Sequence, residues 1–508
     1  MVWWSLNDAR APPGPLTVNA TDTQDSPCSE FRKLFSLTAS HEHARRFVVC
    51  QAIRDDALDK CARQPSRFYF ESLHDLMLEQ SDQYRDLMNL VASQQYTDLD
   101  ATECDRWQQF HYYAIGQHEI LGQALQGSDE QWVRSVLDET RSWLRDNPPK
   151  SQNETWRHFN ASEVVSLIEC GSRPNLVQGK VDAYFCSTTH AVSLIDSGAI
   201  LVVNHQQPYP WNGQPIKDLF DTYNPARELD RKYPVCIPSL PMDVTDAQGN
   251  IICRGSCFKP KSLGQIRRNF LEDKVQVQRS LWNVLDMEQW VPVPYPPFLT
   301  HPNSQLLQSL KACNKGGTIL SNRATTFMLL SHGGNHTSSH VDDCGSGVFL
   351  TVQQGIVGIG WIPVTWQKRI KWGEDPASVK QQARYVVLRP NQTIYLPPGT
   401  IHFVFRKAGQ HTLITGGEII TWAGMRRWLC ILKHQELCEA EVNVTRESSQ
   451  QWADCVLEAM KQREQSDSWA ILGGPEEAGL ILSTLEKWAT FKTMEDYFAF
   501  QGWDMDTF

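Results

Sequence analysis

A short polar segment of the chain reads Asn335-His336-Thr337-Ser338-Ser339-His340-Val341-Asp342-Asp343. Residues two apart on a β-strand project from the same face, so His340 and Asp342 can bind one ion together if this segment is extended. Taken alone, a histidine and an aspartate at this spacing also occur by chance on a polar surface turn. The segment therefore supplies a candidate pair of metal ligands, and a third ligand has to come from elsewhere in the chain.

The third ligand is offered about 60 residues downstream, where the chain reads Leu396-Pro397-Pro398-Gly399-Thr400-Ile401-His402-Phe403-Val404-Phe405. This is a turn that leads into an apolar strand. Two imidazoles and one carboxylate on one side of a metal leave open positions, which suits an iron(II) ion that activates oxygen. The carboxylate offsets part of the charge of the ion, and the imidazoles bind it in their neutral form. The sequence thus predicts a metal site formed by His340, Asp342 and His402.

Short apolar runs surround these two segments from Thr325 onward, and glycine and proline separate them as turns between strands require. The runs that we interpret as strands are 327–330, 348–352, 356–359, 385–388 and 401–405. After about Thr421 the apolar spacing becomes helical, with Trp452, Val456, Leu457 and Met460 on one face. The sequence therefore predicts an α+β fold.

The order of these patterns predicts four regions. Residues 1–27 are rich in Pro, Ser, Thr and Asp and are predicted to be a disordered tail. Residues 28–147 have helical apolar spacing, which ends before Pro148 and Pro149 because proline disfavours a helix. Residues 155–425 are predicted to form the domain that carries both motifs, with a core at 320–425, and residues 426–508 a helical region.

Composition and charge narrow the function classes. Of the 508 residues, 41% are hydrophobic and 21% charged, as in ordinary globular proteins. The net charge of −10 argues against broad nucleic-acid binding, which needs a basic face. The first residues do not form a secretory signal, and no stretch is apolar enough to span a membrane, so we expect an intracellular protein outside the membrane.

The fourteen cysteines are scattered along the chain. The closest pair is Cys253 and Cys257, and no second pair follows at the spacing of a zinc site. The sequence therefore predicts no zinc finger. We expect most of these residues to be reduced, buried thiols.

The two segments resemble the two halves of a JmjC domain, with the matching residues Gly333-Gly334-Asn335, Thr337-Ser338-Ser339-His340-Val341-Asp342 and Leu396-Pro397-Pro398-Gly399-Thr400-Ile401-His402. Thr412-Leu413-Ile414-Thr415-Gly416-Gly417-Glu418 resembles the glycine-bearing strand that follows the last histidine in that family. The motif similarity covers roughly residues 320–425. The chain is also similar in this respect to fungal JmjC-like proteins.

The resemblance implies a double-stranded β-helix of the cupin type, with a helical N-terminal region and C-terminal helices. It also implies iron(II) and 2-oxoglutarate as cofactors, whose chemistry oxidises a C–H bond of the substrate. On an N-methyl group this oxidation releases formaldehyde, and on another side chain it leaves an alcohol. The protein orients the substrate and excludes water. Nuclear localisation follows from the same resemblance, and a cytoplasmic location stays open.

One position departs from the pattern of the family. Where JmjC proteins place the lysine that binds 2-oxoglutarate, this chain has Val357. The distal carboxylate of that cofactor needs a cation or several donors in a partly buried site. Thr337 matches a family position that donates one hydrogen bond, and Arg406 lies on the same strand face as His402. Arg406 is therefore either a replacement for the lysine or a solvated cation at a strand end.

Two functions are consistent with these residues. The first is an iron(II)/2-oxoglutarate-dependent dioxygenase that hydroxylates or demethylates a protein, with histone lysine as one candidate and a small-molecule substrate as another. The second is a catalytically inactive JmjC-like scaffold or binding protein that has lost 2-oxoglutarate turnover, which Val357 favours and the metal triad opposes. No catalytic residue is predicted beyond the metal ligands. The motifs do not identify the substrate, because a fold does not fix it.

Overall fold

The computed structural model describes residues 129–149, 154–174 and most of 182–503. The longer gaps in that last range are 187–190, 205–210, 223–228, 246–250, 273–279, 288–292, 314–324, 439–445 and 465–468. The chain divides into two compact units, of which the first comprises Met1–Ser128, Tyr184–Ser197 and Leu201–His205, and the second Asp129–Ala183, Gly198–Ile200 and Gln206–Phe508. All predicted site residues belong to the second unit. The predicted tail over 1–27 and the predicted helical region as far as residue 128 lie outside the described residues.

Helices and strands are mixed along the described residues, which confirms the α+β class. The helices are α1 (129–146), α2 (Trp156–Cys170), α3 (Pro215–Thr222), α4 (Leu263–Leu271), α5 (Leu306–Cys313), α6 (Trp366–Glu374), α7 (Met425–Leu437), α8 (Arg446–Glu464), α9 (Pro475–Glu486) and α10 (Met494–Gln501). None of the helices in the described ranges has both the length and the apolar character that a membrane span requires.

The strands lie mainly between the first two helices and α7. They are β1 (Ala183–Cys186), β2 (Ile200–Asn204), β3 (Lys232–Cys236), β4 (Asp243–Thr245), β5 (Ile251–Arg254), β6 (Phe258–Ser262), β7 (Asn283–Val284), β8 (Thr326–Ser331), β9 (Thr337–His340), β10 (Gly347–Gln354), β11 (Val357–Trp361), β12 (Arg384–Leu388), β13 (Gln392–Leu396), β14 (His402–Arg406) and β15 (Thr412–Ile419). Each of the five predicted strand runs overlaps one of these strands.

Two antiparallel sheets dominate the second unit. Seven of its strands are ordered β13-β10-β15-β8-β7-β3-β6, and four others are ordered β12-β11-β14-β9. The successive pairs β8–β9, β10–β11, β12–β13 and β14–β15 each place one strand in each sheet. Neither sheet closes on itself in the part of the chain that is described. The chain thus crosses repeatedly between a seven-stranded and a four-stranded layer.

Alternation along β14 gives the four-stranded sheet two different faces. Phe403 and Phe405 project to one side, where they lie flat against the glycines of the neighbouring β11. A Cβ atom added at Gly358 would lie 2.1 Å from the Phe405 ring, and one at Gly360 would lie 2.0 Å from the Phe403 ring. Apolar residues of α1 and α2 pack on this side, namely Val133, Val136, Val164, Leu167 and Ile168. His402, Val404 and Arg406 therefore project to the other side.

The C-terminal helices and α5 form a second core, which also includes Ile420 and Trp422 just after β15. Helices α5 and α7 to α10 contribute its buried residues, among them Leu310, Trp428, Trp452, Ile481 and Tyr497. Helix α7 is buried along almost its whole length. Even its Lys433 is fully buried and forms an ion pair with Glu436 at 2.8 Å. A helix enclosed in this way has a fixed position, and the site described below uses it as a support.

The close approach of the rings to β11 makes Gly360 a sensitive position. We expect Gly360→Ala to lower the free energy of unfolding by about 1–3 kcal/mol, because the added methyl group displaces the Phe403 ring. The control is Gly479→Ala in α9, where the added Cβ has nothing within 4 Å and alanine is the better helix former. Urea unfolding monitored by tryptophan fluorescence measures both variants. Equal stability of Gly360→Ala and the wild type would contradict this packing.

Candidate metal centre

The three predicted ligands lie together at one end of the four-stranded sheet. His340 is the last residue of β9 and stands directly opposite His402, the first residue of β14. The ligand atoms of these two residues and Asp342 all lie within 4.8 Å of one another. Asp342 Oδ1 is 3.9 Å from His340 Nε2 and 3.8 Å from His402 Nε2. This is the arrangement that the sequence spacing predicted.

The position of Asp342 corrects one detail of that prediction. The strand ends at His340, so Asp342 lies two residues beyond β9 and not on it. Its backbone is nevertheless extended, with φ −63° and ψ 152°. The extended backbone keeps the alternation of side chains across Val341, and the carboxylate therefore still projects to the side of His340.

Backbone carbonyl groups orient both imidazoles. His340 Nδ1 donates to the Ser338 carbonyl at 2.9 Å, and His402 Nδ1 donates to the Thr400 carbonyl at 3.0 Å. With the proton held on Nδ1, each Nε2 keeps a lone pair on the side of Asp342. Burial and the neighbouring His402 lower the pKa of His340 to about 4. Its imidazole is therefore neutral at neutral pH, as metal binding requires.

Helix α7 supports the segments that carry the ligands. Gln435 Nε2 donates to the Asp342 carbonyl at 3.0 Å, and Trp428 Nε1 donates to the Cys344 carbonyl at 2.8 Å. The turn before His402 is tied to the same segment, because the Gly399 amide donates to the Gly345 carbonyl at 3.0 Å. Both ligand segments are therefore fixed relative to one buried helix.

Two glycines allow the ligand segments to approach α7 closely. Gly345 and Gly399 have φ values of +61° and +72°, a region that favours glycine. A Cβ atom at either position would lie 2.4 or 2.5 Å from the Ile431 side chain. Glycine at 399 is thus required by the turn and by the packing together, which explains its place in the segment before His402.

The outward side of β9 is anchored to two helices. The Ser339 amide donates to Glu163 Oε1 of α2 at 3.2 Å, and the Ser339 hydroxyl bonds to the same oxygen. Trp372 of α6 donates its indole N–H to the Ser339 hydroxyl at 2.9 Å. Since Ser339 points outward, the next residue, His340, points the other way, and the strand is held in the register that faces His340 toward His402. The pairing of β9 with β14 shifts between Thr337 and His340, so these two residues can share a face although they are three positions apart.

Arg406, at the other end of β14, is 2% exposed. Its Nε donates to Thr412 Oγ1 at 2.9 Å and its Nη1 to the Asn335 carbonyl at 3.2 Å. Both acceptors are neutral, and no described residue forms an ion pair with Arg406. Burial lowers the pKa of Arg406 to about 10, so the side chain stays cationic at neutral pH. The interpretation of Arg406 as a solvated cation is therefore wrong.

Val357 is paired directly with Arg406 across β11 and β14. Side chains at such positions share a face, with Cβ atoms about 4.5–5.5 Å apart. Arg406 thus stands beside the position where the JmjC resemblance places a lysine. Val357 itself is fully buried and apolar. The JmjC resemblance places a positive charge on β11. In this chain the charge is carried by Arg406 on the neighbouring strand, β14.

Thr337 lies in the same row of side chains. It stands opposite Val404, which projects from the same face of β14 as His402 and Arg406. Thr337 is partly buried, and its hydroxyl makes no hydrogen bond with the described residues. The predicted cofactor residues, Thr337 and Arg406, therefore share the sheet face of the metal ligands.

A buried histidine that the motifs did not single out supports this face. His336 is 6% exposed, accepts a hydrogen bond from the Arg406 amide at 3.4 Å and contacts Thr140 Oγ1 of α1 at 3.0 Å. Because the Thr140 hydroxyl donates to the Val136 carbonyl, His336 Nε2 is the donor in that contact. Burial lowers the pKa of His336 to about 3, so it is neutral.

Removal of one ligand tests the metal centre. We expect the purified chain to bind one equivalent of iron(II) or cobalt(II) without oxygen, and Asp342→Asn to lower that affinity by at least about tenfold through loss of the anionic ligand. Asp138→Asn is the matched control, since that aspartate is exposed on α1. Calorimetric titration gives both affinities. Equal metal affinities of Asp342→Asn and the wild type would contradict the assignment of Asp342 as a metal ligand.

No protein-family model matches the chain, and no curated protein matches it either. Membership of the JmjC family is therefore a proposal, and two observations support it. One is the convergence of His340, Asp342 and His402, and the other is the buried cation Arg406 on the same sheet face.

Proposed function

We propose that this chain is an iron(II)- and 2-oxoglutarate-dependent oxygenase of the JmjC type. The observation that carries the proposal is that a His-Asp-His triad and a buried cation lie on one face of the same sheet, and that this cation has no acidic partner among the described residues. The triad would hold the metal ion, and Arg406 would hold the distal carboxylate of the cofactor. Bound at these residues, the iron and 2-oxoglutarate would supply the chemistry that oxidises a substrate C–H bond.

The donor set fits iron(II). Two neutral imidazoles and one carboxylate on one side leave the remaining positions for other ligands, which is the facial arrangement of non-haem iron(II) oxygenases. The hydrogen bonds from each Nδ1 to a carbonyl fix the imidazoles with Nε2 toward Asp342. The protein therefore holds the three ligand side chains in place before the ion arrives, and the support from α7 keeps the loops from moving apart.

The environment of Arg406 fits a carboxylate. Burying a cation without a counter-ion is costly, and the neutral acceptors of Thr412 and Asn335 offset only part of that cost. A ligand carboxylate would add a charge-assisted hydrogen bond. Four residues of strand place the Cα atoms of His402 and Arg406 about 13 Å apart. A dicarboxylate that contacts the metal at one end and the arginine at the other would have to span this separation less the reach of the two side chains.

The same proposal includes a specific arrangement of the two sheets. We infer a double-stranded β-helix, because four successive strand pairs from β8 to β15 each place one strand in each sheet. In such a fold the face that carries His402 and Arg406 would line the interior. Thr412 of β15 supports this, since it belongs to the seven-stranded sheet and yet accepts a hydrogen bond from Arg406 of the four-stranded sheet.

The substrate is proposed only as a class. A protein side chain or a small molecule with an oxidisable C–H bond fits the chemistry, and a methylated histone lysine is one candidate that follows from the resemblance. Nuclear localisation follows from the same source and stays a prediction. The proposed role of Arg406 is to bind the cofactor, so this role would be the same for each of these substrates.

A second function is favoured by one observation. Val357 occupies the position of the cofactor lysine, so a scaffold that binds metal without turning over 2-oxoglutarate is the alternative. The two functions differ in the ligand of Arg406, because only the oxygenase needs that cation to bind a dicarboxylate.

Substitution of Arg406 separates these functions. We expect the wild type to form succinate from 2-oxoglutarate with iron(II) and ascorbate, and Arg406→Met to raise the dissociation constant for 2-oxoglutarate about 10–100-fold. The reason is the loss of a hydrogen bond to a charged group, which contributes about 1.5–3 kcal/mol. Calorimetry with manganese(II) in place of iron gives the affinity without turnover.

Two controls make the result specific. Lys407→Met removes the neighbouring, half-buried cation, which lies 3.8 Å from Glu139, and should leave the affinity for 2-oxoglutarate unchanged. Arg406→Lys keeps the charge and should recover part of the affinity. Metal binding by the wild type without affinity for 2-oxoglutarate would favour the scaffold. Unchanged affinity in a folded Arg406→Met would remove Arg406 from the cofactor site.

A further inference from the structure

Two cysteines outside the metal centre are in direct contact at the edge of the seven-stranded sheet. Cys236 ends β3, and Cys257 immediately precedes β6, the edge strand. Their Sγ atoms are 3.3 Å apart, and both residues are partly exposed free thiols. The backbone fixes this contact, because the Ile237 amide donates to the Cys257 carbonyl at 2.8 Å. The thiols are therefore held together by sheet pairing.

The contact makes the two sulfur atoms chemically different. The Cys236 thiol donates a hydrogen bond to Cys257 Sγ. This bond lowers the pKa of Cys257, whereas the same bond and burial raise the pKa of Cys236. A cysteine with more thiolate reacts faster with peroxides, and a second thiol beside it can resolve the product. The contact therefore favours the thiolate at Cys257 and leaves the Cys236 thiol beside it in position to resolve an oxidised sulfur.

None of the other cysteines whose side chains are described combines these features. The sequence predicted mostly buried thiols, but of the eight cysteines whose side chains are described only Cys344 and Cys430 are buried, so that expectation is wrong for these eight residues. Burial raises the pKa of Cys430, which makes it a poor nucleophile. Cys253 is exposed and lies four residues before Cys257, and it is the competitor that a test has to exclude.

We propose that Cys236 and Cys257 form a peroxide-sensitive dithiol that closes to a disulfide. The Cys257 thiolate attacks one oxygen of hydrogen peroxide, the O–O bond breaks, and a sulfenic acid and one water are formed. Cys236 then attacks the sulfenic sulfur, the S–S bond forms, and a second water leaves. Two thiols and one peroxide give one disulfide and two waters, so the sulfur atoms lose the two electrons that reduce the peroxide.

The geometry requires only a small movement. A disulfide needs a separation of about 2.05 Å between its sulfur atoms, so a shift of little more than 1 Å in side chains that already touch is sufficient. The bond would join residues 21 positions apart. Both strands of the small sheet, β4 and β5, lie within that interval and pair with each other. Oxidation would thus fasten this two-stranded sheet to the edge of the large one.

Peptide mapping of the oxidised full chain tests the proposal. The protein is treated with hydrogen peroxide, free thiols are alkylated, and the chain is cut by trypsin and by a protease that cleaves before aspartate. Cleavage before Asp243 and after Arg254 places Cys236, Cys253 and Cys257 on three peptides. We expect a link between the peptides of Cys236 and Cys257 that dithiothreitol reverses. A link between Cys253 and Cys257, or full alkylation of Cys236 and Cys257 after peroxide, would overturn it.

Two variants assign the roles of the thiols. In Cys236→Ser we expect no disulfide and a sulfenic acid on Cys257 that dimedone traps. In Cys253→Ser, the matched control, we expect the disulfide to form as in the wild type. Trapping on Cys253 in place of Cys257, or loss of the disulfide in a folded Cys253→Ser, would contradict the assignment. This result is independent of metal or 2-oxoglutarate binding.

Discussion

The antiparallel pairing of β14 with its two neighbours is the contact on which the candidate site depends. On one side it sets His340 of β9 opposite His402, and on the other it sets Val357 of β11 opposite Arg406. Because side chains two apart on a strand share a face, this one strand carries a metal ligand at its start and a buried cation at its end. A shift of one residue in this register would turn both side chains away from the face that they share.

The second constraint is the cost of burying Arg406. Among the described residues its guanidinium has only neutral acceptors and no counter-ion, and the effective penalty of burying an ion is several kcal/mol. The protein holds this charge in place through Asn335 and Thr412, with the backbone of the same residue tied to His336. A bound carboxylate would supply the missing charge. Relative to the JmjC pattern, the cation would then stand at Arg406 of β14 and not at the position of Val357 on β11. These two positions are paired, so they share one face of the sheet.

Local sequence was sufficient to predict which three side chains converge at the candidate site and which strands surround them. The spacing of His340 and Asp342 and the Pro-Gly turn before His402 are short-range patterns, and each follows from strand alternation or turn chemistry. The supports could not be predicted in this way, because Trp428 and Gln435 are 84 and 93 residues away from the carbonyl groups that they hold. Burial excluded the interpretation of Arg406 as a solvated cation, and burial depends on which distant strands cover it. The end of β9 before Asp342 likewise depends on pairing with β14.

The most direct test of the combined site is an anaerobic titration of the iron(II)-loaded protein with 2-oxoglutarate, followed by the visible absorption that arises when a 2-oxo acid chelates iron(II). We predict an absorption band whose amplitude saturates at one equivalent of 2-oxoglutarate per chain. We also predict that Arg406→Met reaches the same final amplitude only at a higher concentration, since the metal ligands are intact and the distal carboxylate has lost its partner. Absence of the band in an iron-loaded wild type, or identical titration curves for the wild type and a folded Arg406→Met, would contradict these predictions.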